Sequence, residues 1–431
     1  MKLEDINLLD RDVFARRIPH DWFSYLRANA PVYRHPERRG PGFWVVSRYE
    51  DVRRVTLDVA TFSSDGARGG VVALEDVEDV GRRPPKEMGF QQGARLMNTT
   101  DPPEHARYRK LVNKGFTPRM VGQLEDRIRA YSGEILDLAI AKGECDWVVD
   151  VAAELPIRMI SELLGVPYED RGKIFEWSNR IVGSEDPEFM YDEELIAGAT
   201  REMFQYAQML ADTRRREPRD DIISTLIAPD ADGDRLADHD FNLFFLLLAI
   251  AGNETTRYTA THGMAAMLDH PDQYAELVAD PGLIPAAVEE MLRWASPVMY
   301  FRRTATRDTE IRGVPIKAGD KVAMYYISAN SDEEVFKDPY RFDIHRSPNL
   351  HLAFGGGGPH FCLGAGLARL QLRVLFEELV RRAPKLQPAG SASRLRSLLI
   401  NGIKHLPADL SAGARGAPAP QSGRSGVSSD T

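Results

Sequence analysis

Long stretches of this chain place apolar residues at the spacing of an α-helix, whereas only short stretches alternate as a strand does. The helical spacing covers residues 121–141, 190–216, 240–268 and 284–295. Because residues three and four positions apart share one face of a helix, these segments predict four long helices. A further helix is predicted from about 363 to 382, directly after a glycine-rich loop.

The strand signals are short and lie toward the two ends of the chain. Phe43–Val46 is apolar and bounded by turn residues, and Tyr49 opens a short helix after it. Residues 322–326 are again apolar and β-prone, and Asn401-Gly402 is typical of a hairpin turn. The pattern therefore predicts a mainly α fold with a smaller β-rich portion.

We find no internal repeat and no linker that divides the chain, so we predict a single domain over residues 1–410. Residues 411–431 are rich in Gly, Ser, Ala and Pro and predict a disordered tail. The stretch 64–98 is irregular and glycine-rich. Irregular segments of this length inside a compact domain are usually functional, and we expect this one to cover a site.

Composition narrows the class of protein. The net charge of −9 argues against a general nucleic-acid binder, which needs a basic face. The two cysteines are too few for a disulfide framework or a zinc site, and they fit a reducing cytoplasm. The longest apolar run, 244–251, is far shorter than the ~20 residues of a bilayer span. We therefore expect a cytoplasmic protein without a membrane anchor.

The strongest chemical signal is the loop that carries Cys362. Residues 354–364 read Phe-Gly-Gly-Gly-Gly-Pro-His-Phe-Cys-Leu-Gly. A lone cysteine is most often a small buried apolar residue. A phosphate-binding loop does not fit, since the loop lacks Gly-Lys-Ser/Thr and G-x-G-x-x-G spacing. A cysteine protease does not fit either, because no group is placed to orient His360.

A haem-ligating thiolate accounts for each residue of this loop. A cysteine just before a helix lies at the positive end of the helix dipole, which stabilises a thiolate. Backbone N–H groups can point at the sulfur and tune a bound iron. The glycines allow the backbone to lie flat against a large planar ring, and His360 can reach a haem propionate.

The loop resembles the cysteine-ligand loop of the cytochrome P450 family, Phe-x-x-Gly-x-His/Arg-x-Cys-x-Gly. Gly358, His360, Cys362 and Gly364 match this pattern. The usual aromatic residue stands seven positions before the cysteine, where this chain has Gly355, and Phe354 lies one position earlier. The resemblance implies haem b held between an oxygen-binding helix and the helix after the loop, with Cys362 as the axial ligand of the iron.

Residues 251–257, Ala-Gly-Asn-Glu-Thr-Thr-Arg, interrupt a strongly apolar helix. They could simply mark where the helix leaves the core. The segment is similar to the family's oxygen-binding motif, which implies that Ala251 lies beside the haem and that Gly252 thins the helix there. Activation of O2 needs protons delivered in a dry pocket. We therefore interpret Glu254 and Thr255 as an acid–alcohol pair that carries out this step.

Two further segments resemble the family's haem-propionate clamp. Residues 101–109 open a helix with Pro and acid in the first turn, and His105 and Arg109 are four positions apart on one face. Arg303 lies in an Arg-Thr-Ala-Thr segment that looks like a third propionate partner. Burying two carboxylates requires cationic donors, which these residues supply.

Glu290 and Arg293 resemble the family's Glu-x-x-Arg pair. Such a pair is common on helices, but this one lies upstream of the cysteine in the family's order. Arg341, in the segment 338–342, is predicted as the third member of this network. We interpret all three residues as structural.

A narrower resemblance joins this chain to the actinobacterial hydroxylases of sterol side chains and methyl-branched lipids. It rests on the early Phe354, on the motif at 251–257 and on the ending 401–407. An unactivated C–H bond requires an apolar pocket. The residues expected to line it are Leu247, Leu248, Ala251, Val298, Met299 and Ile400.

The sequence thus predicts a monooxygenase that inserts one atom of O2 into a steroid, branched lipid or terpenoid. Electrons are expected from NAD(P)H through a separate reductase and a ferredoxin or flavodoxin. The donor is expected to dock on the basic residues Arg107, Lys110, Lys114 and Arg369. We expect a monomer. The alternatives are a tailoring oxidase of a polyketide or terpenoid, a peroxide-driven hydroxylase, and a haem-binding sensor.

Overall fold

The structure is a computed structural model of the chain. It describes residues 1–38, 40–75, 96–182, 186–189, 193–219, 221–229, 233 and 235–413. Most of the predicted covering loop, and the predicted tail beyond residue 413, therefore lie outside the described residues.

Helices dominate the described chain. They are α1 (Arg11–Arg16), α2 (His20–Asn29), α3 (Tyr49–Leu57), α4 (Glu104–Asn113), α5 (Pro118–Gly122), α6 (Glu125–Lys142), α7 (Glu154–Leu163), α8 (Arg171–Val182), α9 (Glu193–Arg216), α10 (Ile222–Ile227), α11 (Asp238–Asp269), α12 (Pro271–Ala279), α13 (Ile284–Ala295), α14 (Tyr326–Ala329) and α15 (Ala365–Arg382).

The strands form a smaller region. They are β1 (Val32–His35), β2 (Phe43–Val46), β3 (Phe62–Ser63), β4 (Glu144–Asp146), β5 (Tyr300–Ala305), β6 (Thr309–Ile311), β7 (Val314–Ile316), β8 (Lys321–Tyr325), β9 (Gln387–Pro388), β10 (Ser393–Arg394), β11 (Ile403–His405) and β12 (Pro407–Asp409). The largest sheet has the order β1-β2-β8-β5-β3. All five residues of β8 are buried, as a central strand requires.

Helix α11 runs through the middle of the helical region. It packs against α7, α9 and α13. Its sequence explains this position, because its N-terminal half, 241–251, is apolar on all sides and a helix of that kind is stable only when surrounded. Helix α15 packs against α6 and α13 and places the end of the cysteine loop next to this core.

The prediction of a mainly α fold with a smaller β-rich portion is confirmed. The helix predicted at 284–295 has these bounds in the structure. The helix predicted at 240–268 is one or two residues longer at each end, and the one predicted at 363–382 begins two residues later and ends as predicted. The prediction of a tight hairpin turn at Asn401-Gly402 is wrong. The antiparallel strands β10 and β11 are joined by a longer loop, in which the N–H of Leu395 donates to the carbonyl of Gly402.

The Glu290 network is built as predicted except for its third member. Both nitrogens Nε and Nη2 of Arg293 donate to the carboxylate of Glu290 at 2.7 Å, and both side chains are buried. The second arginine is Arg346, whose Nε lies 3.0 Å from Oε2 of Glu290. Arg341 is exposed because the next residue, Phe342, turns into the core. It contributes only its carbonyl, which accepts from Arg346.

This correction gives a matched pair of variants. We expect Arg346→Ala to lower the free energy of unfolding by about 3–5 kcal/mol, because it leaves the Glu290 carboxylate short of a buried donor. Arg341→Ala should change it by less than about 0.5 kcal/mol, as for other surface substitutions. Urea unfolding of the two variants measures the difference. Equal destabilisation would show that Arg346 is not the third member.

Among the described helices, none combines the length and the apolar character that a bilayer span requires.

Candidate active site

Cys362 lies between the glycine-rich loop and the first turn of α15. Its own N–H donates to the carbonyl of Phe354 at 3.0 Å, which closes the loop. Burial raises the pKa of the Cys362 thiol, while hydrogen bonds from the N–H groups of Gly364 and Ala365 and the charge of Arg109 act in the opposite direction. The helix start therefore directs two backbone donors at the sulfur, as a thiolate ligand needs.

The loop before Cys362 depends on glycine for its shape. Gly355, Gly356, Gly357 and Gly358 all have positive φ, between 60° and 99°. Few other residues adopt this conformation without strain. A Cβ on Gly358 would also lie 3.3 Å from Cδ2 of Leu57, on α3. The run of four glycines thus lets the loop fold flat against the end of α3.

Phe354 is fixed beside the thiol loop by an arginine. The guanidinium of Arg369 lies 4.5 Å from the centroid of the Phe354 ring. It also donates to both carboxylate oxygens of Glu289, at 2.7 and 2.9 Å. Burial alone would raise the pKa of Glu289, but Arg369 and His351 lower it to about 2. Arg369 is therefore largely neutralised, which makes it the weakest of the four predicted docking residues.

Four basic side chains converge on one side of the cysteine loop. His105 and His360 have ring centroids 4.1 Å apart. Burial, together with Arg303, His105 and Arg109, lowers the pKa of His360 to about 3. Arg109 donates through Nη1 to the carbonyl of Phe361. Arg303 is 2% exposed, and its Nε has no hydrogen-bond partner among the described residues.

These residues fit a haem. The side chain of Cys362 is exposed, so a ligand can reach its sulfur, although neighbouring protein atoms desolvate the thiol and raise its pKa. The charge on Arg303 is buried beside His105 and His360, and the charge effects of Tyr326 and Asp101 do not outweigh its burial, which lowers its pKa. A buried guanidinium needs an anionic partner, and neutral imidazoles beside it can donate to the same anion. Two propionates would supply such anions, and Cys362 would supply the axial thiolate.

Helix α11 has one partly open face among its buried residues. Leu247, Ala251 and Thr255 follow at intervals of four, and each is more exposed than the fully buried residues of this helix. Residues four apart share one face of a helix, so the three side chains lie along the same open face. The hydroxyl of Thr255 donates to the carbonyl of Ala251 at 2.7 Å. The structure therefore brings these three predicted residues together.

Glu254 is turned away from Thr255. Its buried carboxylate accepts from Arg257 on the next turn of α11 and from Nδ2 of Asn253 at 3.2 Å. Arg257 also donates to the hydroxyl of Tyr258 at 2.8 Å. The predicted acid is thus held in a buried polar cluster, and it must rotate out of this cluster to reach Thr255.

Gly252 has a different role from the one predicted. A Cβ at this position would lie 3.1 Å from Cδ1 of Ile160, on α7. The glycine therefore lets α11 and α7 approach closely, whereas Ala251 and Thr255 lie on the partly open face of α11. The sequence motif predicted the correct turn of α11, but Gly252 faces α7 and not the side that was predicted to border the haem.

Four of the predicted pocket residues belong to packed apolar clusters or border them. Met299 is 1% exposed and belongs to a buried cluster with Tyr300 and Leu398. Its neighbour Val298 pairs with Ile400, and the two border a separate small apolar cluster. Successive residues of an extended segment face opposite sides, so only one of Val298 and Met299 can face a pocket. Leu248 likewise packs in the core between α11 and the helices over it.

Arg302 was missed in the sequence. Its guanidinium donates to the carbonyls of Arg68 and Ala73, and its backbone N–H donates to the carbonyl of Val71 at 2.8 Å. It therefore anchors the described start of the covering loop to β5. The sequence could have indicated a separate role for Arg302, because neighbouring residues of a strand face opposite sides. Two consecutive arginines in a strand, Arg302 and Arg303, should thus serve two different sites.

Comparison with known proteins agrees with this site. Residues 282–385 match the family model described as cytochrome P450. The chain is 43% identical to a steroid C26-monooxygenase of Rhodococcus jostii over 421 residues, which cover 96% of this chain and 87% of the relative. It is 40% identical to a methyl-branched lipid omega-hydroxylase of Mycobacterium bovis, over 89% of each chain.

A solved structure shows the same fold. A cytochrome P450 of Mycobacterium marinum in complex with pseudoionone is 40% identical to this chain, with a TM-score of 0.84. The alignment covers 92% of this chain and 96% of that one. The extent of these similarities, together with a thiol loop that fits a haem, shows that the chain belongs to the cytochrome P450 family.

Proposed function

We propose that this cytochrome P450 monooxygenase hydroxylates an unactivated C–H bond of a steroid or a methyl-branched lipid. The named activities of relatives at 40–43% identity support these substrate classes. The observation that carries the proposal is the apolar stripe of Leu247 and Ala251, which leads directly to the Thr255 hydroxyl. A pocket lined in this way excludes water and binds a substrate through apolar area.

The residues of the site divide the work between them. When bound, haem b would supply the redox chemistry of O2 activation, and Cys362 would hold it through its thiolate. Arg303, Arg109, His105 and His360 would hold its propionates. The Thr255 hydroxyl would donate a proton at the open face of α11. Glu254 would resupply that proton after leaving Arg257, a rotation of one carboxylate within one helical turn.

Electrons would reach the site from NAD(P)H through a separate reductase and a ferredoxin or flavodoxin. Arg107, Lys110 and Lys114 are exposed on or directly after α4, the helix whose Arg109 contacts the cysteine loop. An acidic electron donor is attracted by such a surface. The redox partner, the monomeric state and the cytoplasmic location stay predictions.

The docking surface can be tested by charge reversal. We expect Lys110→Glu combined with Lys114→Glu to slow reduction by a ferredoxin by about 10-fold or more at low ionic strength, with a weaker dependence on salt. Stopped-flow reduction under carbon monoxide measures the rate. Reduction by dithionite, which needs no docking, is the control. An unchanged ferredoxin rate would place the docking surface elsewhere.

The substrate proposal is tested by binding and by product. Titration of the purified holoprotein with cholest-4-en-3-one and with a methyl-branched fatty acid should shift the haem spectrum toward the high-spin form. Turnover with a surrogate ferredoxin and reductase should yield a hydroxylated product of at least one of them. Terpenoid probes that bind while both of these fail would favour the tailoring-oxidase alternative.

The role of Arg303 can be tested with one variant and two measurements, the stability of the apoprotein and its affinity for hemin. Burial lowers the pKa of Arg303, which shows that its charge is poorly compensated in the protein alone. Arg303→Leu should therefore leave the apoprotein equally stable or more stable in urea. The same variant should bind hemin at least about tenfold more weakly, because one charged partner of a propionate is lost. Weaker hemin binding together with a destabilised apoprotein would instead mark Arg303 as a residue of the fold.

A further inference from the structure

An ion pair between α13 and α15 supports the cysteine loop. Arg369 lies in the second turn of α15, seven residues after Cys362, and donates to both carboxylate oxygens of Glu289 on α13. The same carboxylate accepts from Nε2 of His351 at 3.1 Å. Nδ1 of His351 accepts from the N–H of Ala353 at 3.3 Å, so the ring N–H that faces Glu289 is on Nε2. The ion pair therefore joins two helices to the segment that leads into the loop.

The two-point contact with Glu289 fixes the guanidinium of Arg369 over one aromatic ring. Two parallel hydrogen bonds, at 2.7 and 2.9 Å, set the orientation of the guanidinium plane as well as its position. The guanidinium lies 4.5 Å from the centroid of the Phe354 ring, a distance at which a cation is attracted to a ring face. The carbonyl of Phe354 accepts from the N–H of Cys362. Arg369 therefore contacts the residue whose backbone holds the ligand cysteine.

The charge of Arg369 acts on the sulfur, and Glu289 opposes it. Burial raises the pKa of the Cys362 thiol, and the charge of Arg369 is one of the influences that lower it. Burial would also raise the pKa of Glu289, but Arg369 and His351 hold it at about 2, so this carboxylate is ionised at neutral pH. The side chains of Arg369 and Glu289 are 39% and 30% exposed, so solvent weakens their fields without removing them. The sulfur therefore faces a cation whose charge is largely compensated by Glu289.

We propose that Glu289 and Arg369 are positioning residues of the thiolate site, and that Glu289, by compensating the charge of Arg369 beside the cysteine loop, sets the reduction potential of the bound haem. Reduction adds one electron to the iron, and a positive charge nearby stabilises the reduced form. The inference rests on the proposed function, because it takes Cys362 to be the axial ligand of a haem. It assigns Arg369 to the thiolate site and not to the docking of an electron donor.

A redox titration of the holoprotein tests this role. Glu289→Gln leaves the cation without its counter-charge, and we expect it to favour the ferrous form about threefold, a rise of roughly 30 mV at about 59 mV per tenfold change. Arg369→Gln leaves the carboxylate alone and should shift the potential by a similar amount in the opposite direction. The double variant should return close to the wild type, because both charges are gone. The ferric and ferrous spectra, recorded without substrate while dithionite is added in the presence of mediator dyes, give the potential.

Two further variants separate the charge of Arg369 from its part in packing. Arg373→Gln is the matched control, since it removes a cation from the same helix one turn farther from Cys362, where it pairs with Glu377 and Glu125. It should shift the potential by less than half as much as Arg369→Gln. Arg369→Lys keeps the charge but loses the planar two-point contact, and it should restore most of the wild-type potential.

The sign of the shifts decides the outcome. Opposite shifts in Glu289→Gln and Arg369→Gln that cancel in the double variant would support the inference. Unchanged potentials, or shifts of the same sign in both single variants, would overturn it, because a loosened loop does not distinguish the two charges. The spectrum under carbon monoxide separates this failure from that of the proposed function. A wild type without the band of thiolate-ligated haem would refute Cys362 as the ligand, and this inference with it, whereas a normal band with unchanged potentials refutes the inference alone.

Discussion

Product formation should fall by at least about a thousandfold when Cys362 is replaced by serine. A hydroxyl cannot supply the electron donation of a thiolate to a haem iron, which this family requires for cleavage of O2. The two N–H groups of Gly364 and Ala365, which are aimed at the sulfur, would then face a ligand that is not an anion. The measurement is turnover with a surrogate redox system, normalised to haem content.

The chain offers a matched control for this variant. Cys145 is the other cysteine, and it lies on β4, buried in the core rather than at the site. Burial raises its pKa to about 12, so it is inert as a thiolate. Cys145→Ala should keep the haem spectrum and the turnover of the wild type. If Cys362→Ser retained normal turnover, Cys362 would not be the ligand.

The second large effect is expected at Thr255. Thr255→Ala should lower product formed per reductant consumed by about tenfold or more, while reductant consumption continues. Removing a positioned proton donor costs about 10²–10⁴ in the step that it serves, and the reduced oxygen then leaves as peroxide. The ratio of product to NAD(P)H oxidised, with peroxide measured in parallel, gives the coupling directly.

A neighbouring hydroxyl separates proton transfer from a local effect on the helix. Thr261 also donates to the carbonyl four residues before it, at 2.8 Å, but it is fully buried. Thr261→Ala removes the same type of bond from α11 and should leave the coupling unchanged. Equal coupling in Thr255→Ala and the wild type would count against Thr255 as the proton donor.

Glu254→Gln tests the other half of the pair. It should lower coupling or rate in the same direction as Thr255→Ala, and it also frees Arg257 from its ion pair. Arg257→Gln keeps Glu254 and loosens only its restraint. A loss of coupling in Glu254→Gln but not in Arg257→Gln would assign the effect to the carboxylate.

The sequence predicted correctly those features for which physical chemistry leaves one residue type or one spacing. The glycine run before Cys362 is such a case, since four positive φ angles leave few other choices. The period of 3.6 residues likewise located α11, α13 and α15, because each must bury a wide apolar face. The placement of Glu290 and Arg293 followed from their order along the chain.

The predictions were wrong where a residue's role depended on which side of a strand it faces or on the path of a loop. Arg341 and Arg346 are both plausible partners for Glu290 in sequence, and only the turn after Phe342 selects the second. Val298 and Met299 differ by one position, which in an extended segment decides between the pocket and the core.

The most direct test of the thiolate site is the absorption spectrum of the purified wild-type protein, reduced under carbon monoxide. We expect a Soret band at the long wavelength that is characteristic of thiolate-ligated haem. This band should be lost in Cys362→Ser but not in Cys145→Ala. A protein that takes up no haem, or one whose band lies at the shorter wavelength of a histidine-ligated haem, would contradict it.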